Sequence, residues 1–145
     1  MIALLQRVSR ASVSVDDQVT GSIDSGLLVL VGFRRGDQAG QIDRFIQRIL
    51  DYRVFADDDG RMNLSLRDTG GGLLLVPQFT LAADTTSGNR PGFSPAAAPD
   101  VGEMLFDELI DKATSLWPAT ATGVFGAHME VSLVNDGPVT FWLET

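Results

Sequence analysis

A chain of 145 residues, 44% hydrophobic and 21% charged, is sized for a single domain that buries its own core without staples. The absence of Cys excludes disulfides, thiol catalysis and most structural zinc sites. The net charge of -8 excludes a protein held to nucleic acid by bulk electrostatics, and no run approaches the ~20 apolar residues of a membrane span.

The first elements are strands. Ala3 to Val8, then Val13, Val15, Val19 and Ile23, show partial alternation around an Asp16-Asp17 turn, which predicts a hairpin or meander. Met1-Ile-Ala-Leu-Leu runs straight into Gln6 and Arg7, too short for a signal sequence, so a cytoplasmic location is expected. Leu27 to Phe33 is a continuous apolar run too short for a helix and predicts a strand buried on both faces. Asp37 is the expected N-cap of a helix from Gln38 to Asp51, with Ile42, Phe45, Ile46, Ile49 and Leu50 as its apolar stripe.

Tyr52 to Phe55 reads as a short strand and Asp57-Asp-Asp-Gly60 as a turn. A calcium loop needs acids on alternate positions and a distal Glu, which this segment lacks. Gly70-Gly-Gly72 leads into a strand from Leu73 to Val76, and residues 84–95 form a long polar loop of the kind that carries function. A second helix is expected from Ala96 or Pro99 to Ser115, with Val101, Met104, Leu105, Leu109 and Lys112 on one face and Trp117-Pro118 ending it. Strands from Thr122 to Phe125, His128 to Val134 and Val139 to Leu143 close the chain. The order predicts one α/β domain over residues 1–145, with a mixed, largely antiparallel sheet and two main helices.

Charge is uneven. Residues 1–90 carry ten Arg against eleven acids; residues 91–145 carry Lys112 against eight. Phosphate contacts are therefore expected from Arg34 and Arg35, the Arg44/Arg48 pair and Arg90, whose planar forks suit phosphate oxygens. No aromatic-plus-basic stripe is visible along the chain.

Conventional catalytic sets fail on inventory. His128 is the only His, and no nucleophile elbow accompanies it. Gly70-Gly-Gly-Leu lacks the Lys-Ser/Thr of a phosphate loop. Neither a metal nor a cofactor is expected. Two turns remain. Gln78-Phe79-Thr80 at a strand end reads either as an oxyanion hole of exposed amides or as an ordinary strand end with Phe79 in the core. Gly137-Pro138 reads either as a trans hairpin turn or as a cis dipeptide aiming its carbonyls at a ligand.

Met1 to Val15, Gly26-Leu-Leu-Val-Leu-Val-Gly, Met62-Asn-Leu-Ser-Leu, Gln78-Phe-Thr-Leu-Ala-Ala-Asp-Thr, Arg90-Pro-Gly-Phe-Ser and Val131 to Thr140 together resemble the D-aminoacyl-tRNA deacylases, in order and spacing, over nearly the whole chain. The resemblance implies a fold of stacked, barrel-like β-layers with helices on one side. It implies hydrolysis of the ester linking a D-amino acid, or glycine, to tRNA, and thus chiral proofreading in translation. The implied partners are the acceptor end of aminoacyl-tRNA and a second copy of the chain, with the active site at the subunit interface; neither DNA nor a membrane is implied.

By the same resemblance, Gly137 and Pro138 form a cis dipeptide that enters the partner's pocket, binds the substrate α-amino group and excludes an L side chain. Val139 and Thr140 complete that motif, and Arg7 holds the dipeptide in orientation. The amides near Gln78 and Phe79 hold the ester carbonyl. Thr80 matches a Thr once considered the nucleophile, but no base is available to it; the ribose 2′-OH is the implied internal assistant, with water the final acceptor. One position departs: Pro77 stands where the family has Ser, removing a hydroxyl and a backbone donor. Pro at this point resembles a related subgroup that tolerates a small L-amino acid, but this chain keeps Phe79-Thr80, Val139-Thr140 and Arg7. A cis bond and D-selectivity are therefore expected. The alternative is a weak or relaxed paralogue that binds the tRNA end.

Overall fold

The computed structural model describes residues 1–145. Strand β1 (Ile2–Val15) is the spine of the sheet. It turns through Asp16 and Asp17, both at positive φ (49° and 61°), into β2 (Gln18–Ile23). Two successive left-handed residues match the twist of a two-residue hairpin, and Asp tolerates them better than most side chains. After β3 (Gly26–Gly32), β2 and β3 lie end to end along one side of β1, with Ala11 opposite Ile23 and Val8 opposite Gly26. The other side of β1 is covered along its whole length by β8 (Glu130–Glu144). Beyond β3 the sheet continues through β6 (Gly72–Pro77) and β7 (Thr120–Thr122), both parallel to it. The sheet is therefore mixed, as expected, with β8 as its free edge. β7 comes back against β2: a Cβ on Gly21 would lie 2.5 Å from the Thr122 carbonyl oxygen. This closes the sheet toward a barrel.

β3 and β6 are apolar throughout because both of their faces are covered. On one face, α1 (Ile42–Asp51) contributes Ile42, Phe45, Ile46, Ile49 and Leu50, and α3 (Pro99–Leu116) contributes Leu105, Phe106, Leu109 and Ala113. They pack on Ala3, Leu5, Val29, Val31, Leu73 and Leu75 in the main core. On the other face, Val8, Ala11, Val13, Leu28, Leu74 and Val76 meet Val131 and Leu133 from β8 and form the barrel interior. Gly26 is obligatory: a Cβ there would stand 1.9 Å from the Gly72 carbonyl oxygen.

Several expectations change. The first α-helix starts at Ile42 rather than Gln38, behind a 3-10 turn over Ala39–Gln41. Asp37 does not cap it, because its carboxylate receives the Met1 ammonium at 2.8 Å and the Arg34 amide at 2.7 Å. In α3 the buried face is Gly102, Leu105, Phe106, Leu109 and Ala113, leaving Val101, Met104 and Lys112 exposed. The Tyr52 strand shrinks to β4 (Phe55–Ala56), paired with β5 (Met62–Leu64). A four-residue helix, α2 (Leu66–Thr69), follows, capped by Ser65 and Asp68. The strand placed at Thr122 lies at Thr120–Thr122, and the last two expected strands are one, since β8 stays on β1 through register shifts near Val8. No helix is long and apolar enough to cross a membrane.

Candidate active site

The expected residues gather in two clusters. The first is at the C-terminal end of β6. Pro77 pairs with Val31 as the last residue of the parallel ladder. Amides of even-numbered β6 residues point to β3, as Gly72 does toward Ser25, and odd ones point to β7, as Leu73 does toward Ala119. An amide at position 77 would thus point toward Gly123, the residue after β7, whose own amide donates to the Leu75 carbonyl at 2.8 Å. Proline there removes one donor at the last rung of the ladder, which is where a strand tolerates it best.

Gln78 donates its own amide to the Val31 carbonyl at 2.7 Å, so that donor is committed to the sheet and is not available to a ligand. A 3-10 turn over Phe79–Ala82 follows. Its first bond runs from the Leu81 amide to the Gln78 carbonyl at 3.2 Å, so the Phe79 and Thr80 amides precede any intrahelical acceptor. The free pair of donors is therefore Phe79 and Thr80, one residue further on than expected. The Gln78 side-chain amide donates to the Thr80 hydroxyl. Phe79 is not in the core; it is 57% exposed.

Beside this turn lies a cavity of about 450 Å³, walled by Val76, Pro77, Gln78 and Phe79 from one side and by Phe125, His128 and Met129 from the other, with Pro99 and Gly102 of α3 along it. Sequence reasoning left His128 out of any site, yet it is exposed on this wall. Phe125 and Met129 were also missed; nothing in their spacing marks them, since the fold alone carries them to β6.

The second cluster surrounds residues 135–140. The Gly137-Pro138 bond is cis, and both residues are exposed. Arg7 reaches this loop from β1: its Nε donates to the Asp136 carbonyl at 2.9 Å and its Nη1 to the Val54 carbonyl at 2.6 Å. The Asp136 carboxylate adds a contact at 3.5 Å. From within the loop, Asn135 accepts the Val139 amide at 2.7 Å and donates to the Thr140 hydroxyl at 3.0 Å. Val139 is buried and Thr140 exposed. Asn135 and Val54 are bracing groups the sequence did not single out. An Asn opening a Gly-Pro turn was the available signal for the first; no local signal existed for the second.

The two clusters do not meet within one chain. Gly137 sits near Arg7, whereas Pro77 is level with Val31 and Ala3. Four residues along the strand and three strands across separate them by roughly 20 Å.

Charged groups near these clusters are mostly spent on structure. Arg34 makes a two-pronged pair with Glu144 at 3.2 and 2.8 Å, and Arg48 donates to the Glu144 carbonyl at 2.7 Å. The Arg34 hydrogen bond, aided by the Trp142 indole, holds the Glu144 carboxyl below its ordinary range. Hydrogen bonds from Thr86 do the same for Asp84 at the base of the 84–95 loop. Of the arginines expected to meet phosphate, Arg35, Arg44, Arg48 and Arg90 are exposed, and Arg48 is engaged with the Glu144 carbonyl.

Comparison with known proteins identifies the family. The profile of the D-Tyr-tRNA(Tyr) deacylase family matches residues 4–144. A D-aminoacyl-tRNA deacylase from Thioalkalivibrio sulfidiphilus (strain HL-EbGR7) is 64% identical over 144 residues, spanning 99% of this chain and 97% of the relative. One from Janthinobacterium sp. (strain Marseille) is 60% identical over the same share of both chains. A solved structure described as a c-Myc DNA unwinding element binding protein superposes with a TM-score of 0.94 at 34% identity, covering 100% of this chain and 99% of its own. The chain belongs to the D-Tyr-tRNA(Tyr) deacylase family.

Proposed function

We propose that this protein hydrolyses the ester bond of D-aminoacyl-tRNA, and of glycyl-tRNA, releasing the amino acid and free tRNA and so proofreading chirality in translation. The observation that carries the reading is family membership along the whole chain, combined with two uncommitted amides, Phe79 and Thr80, at the rim of a cavity beside β6. Water adds to the ester carbonyl carbon, and the developing oxyanion is held by those amides. The bond to the ribose oxygen then breaks, and that oxygen takes a proton relayed through the neighbouring 2′-OH. An aminoacyl ester is already activated, so placement supplies much of the barrier reduction.

Thr80 is not the nucleophile in this scheme. Its hydroxyl is engaged by the Gln78 side chain, and no base is arranged to deprotonate it. The carbonyls of Gly137 and Pro138 receive the substrate α-amino group and leave no space for an L side chain. Val139 and Thr140 continue the loop behind them, and Arg7 keeps it oriented.

The site is completed in a homodimer, acting in the cytoplasm. Support comes from the separation of roughly 20 Å between the clusters, from the exposure of Gly137 and Pro138, and from β8, whose outer edge is free to meet a second copy. Such an edge is rarely left uncovered. The reading of a weakened, merely tRNA-binding paralogue is not favoured: relatives of high identity bear the deacylase name, and Pro77 stands only at the last rung of its ladder.

The test is deacylation of D-Tyr-tRNA, L-Tyr-tRNA, Gly-tRNA and L-Ala-tRNA by the purified protein against an enzyme-free control. Rapid loss of the D and glycyl esters with L-Tyr-tRNA spared is expected. Loss of L-Ala-tRNA as well would reassign the protein to relaxed specificity. No acceleration of any ester would remove the enzyme reading. Sedimentation at micromolar concentration tests the dimer, and a monomer there would rule out a shared site.

A further inference from the structure

Two aromatic side chains stand uncovered at the cavity rim. Phe79 is 57% and Phe93 43% exposed, with ring centroids 5.1 Å apart and planes at 54°. Phe79 belongs to the cavity wall; Phe93 arrives from the 84–95 loop. That loop is tied down. Asp84 and Gly92 exchange backbone hydrogen bonds of 2.7 and 2.9 Å, Asp84 caps its own turn through Thr86, and the Ala96 amide returns to the Phe93 carbonyl at 3.1 Å. The ring is therefore held in place, packed on Phe79 with close to half of its surface open.

Two arginines belong to the same loop or lie against its backbone. The Arg35 amide donates to the Pro95 carbonyl at 2.8 Å, which puts residue 35 against the loop, and Arg90 precedes Phe93 by three positions. Both are exposed, and neither is among the ion pairs made by Arg7, Arg34, Arg67 and Lys112. In a protein of net charge -8, unpaired arginines beside uncovered aromatic rings are the combination that binds a single nucleic-acid strand, with rings stacking on bases and guanidinium groups meeting phosphates. The sequence shows no such stripe; the fold assembles it from residues 35, 79, 90 and 93.

We propose that Phe79 and Phe93 form a stacking platform for the nucleotide immediately 5′ of the terminal nucleoside of tRNA, with Arg35 and Arg90 meeting the adjoining phosphates. This rests on the function proposed above. The terminal nucleoside carries the ester on its own ribose and is confined to the site; the next nucleotide must cross the rim where the two rings lie.

The test compares D-Tyr-tRNA with D-tyrosyl-adenosine, which carries the same ester but no preceding nucleotide, using wild type, Phe93→Ala, Phe93→Trp and Arg90→Gln. Phe93→Ala is expected to lower kcat/KM on tRNA by about five- to a hundredfold, the range of one base–aromatic stack, mainly through KM. It is expected to leave the adenosine ester unaffected, and Phe93→Trp is expected to restore tRNA hydrolysis. Arg90→Gln should make tRNA binding less salt-dependent. Equal losses on both esters, or no loss on tRNA, would overturn the platform. A changed sedimentation coefficient for Phe93→Ala would overturn it too, because the ring would then be a subunit contact. Fluorescence titration with a CCA trinucleotide separates the two readings. Wild type that binds the trinucleotide through Phe93 but hydrolyses neither ester refutes the function and keeps the platform; the converse refutes the platform alone.

Discussion

Replacing Arg7 tests whether the 135–140 loop is held from outside itself. The guanidinium is only 15% exposed and bridges two carbonyls, Asp136 at 2.9 Å and Val54 at 2.6 Å. A hydrogen bond from a charged donor is worth ~1.5–3 kcal/mol. The Asp136 bond is solvent-exposed and counts toward the low end; the Val54 bond is partly buried and counts toward the high end. The Asp136 carboxylate, at 3.5 Å and 64% exposed, adds ~0–1 kcal/mol. Water entering the vacated space returns part of the loss, so Arg7→Ala should cost about 2–4 kcal/mol.

Urea unfolding followed by circular dichroism, at one fixed protein concentration, should show a lower midpoint with an unchanged slope. The loop should also lose its orientation, and because a misplacement of ~1 Å can cost ~100-fold in rate, kcat/KM for D-Tyr-tRNA should fall by about that factor. Arg7→Lys keeps the charge but offers a point donor in place of a fork, so it should fall between the two. An Arg7→Ala protein within ~0.5 kcal/mol of wild type and with undiminished deacylation would refute the bracing role.

Gly26→Ala places a Cβ against the Gly72 carbonyl oxygen at 1.9 Å, forcing β3 from β6; thermal unfolding should show a loss of about 4 kcal/mol or more, and a near-normal melting temperature would contradict the register. Glu144→Gln removes the Arg34 pair. Because Glu144 titrates below its ordinary value near 4.5 in the folded protein, the stability it contributes is present above that value and is lost as pH falls through the lower folded value. The variant should thus be less stable than wild type at neutral pH, and the gap measured by denaturant titration should close in acid; a gap that widens in acid would reverse the assignment. Pro77→Ser restores an amide only at the last rung of the ladder, so deacylation should change by less than about twofold, as for substitutions worth under ~0.5 kcal/mol. A large gain would show that the family's hydroxyl takes part.

What the sequence revealed depended on how local the signal was. Leu27 to Val31 and the α1 stripe were legible because burial on both strand faces, or on one helix face, writes itself into consecutive residues. The α3 face was misjudged because two of its buried contacts are Gly102 and Ala113, which carry little apolar signal, while Met104 and Val101 point to solvent. Asn135 to Pro138 read as a break, but the register shifts near Val8 let β8 pass through it unbroken. The two signature turns were visible as segments. Of their supports only Arg7 was implied, by family resemblance; its partners were not legible, because Arg7 finds Val54 and Asp136 at separations of 47 and 129 residues.

On the proposed reading, the chemistry of this chain is carried by backbone more than by side chains. The groups whose titration the fold visibly perturbs are Arg34, Asp68, Asp84 and Glu144. Each is tied into a cap, a turn or an ion pair, and none lines the cavity beside Gln78. Here the only titratable side chain on the cavity wall is His128, which is exposed. If amide placement and exclusion do the work, His128→Ala should leave kcat on D-Tyr-tRNA within about twofold of wild type. The logarithm of kcat should also run parallel in the two proteins between about pH 6 and 8, where a histidine base would switch. A variant that loses most of its rate, or loses only the rise through that interval, would make His128 the base and displace the backbone account.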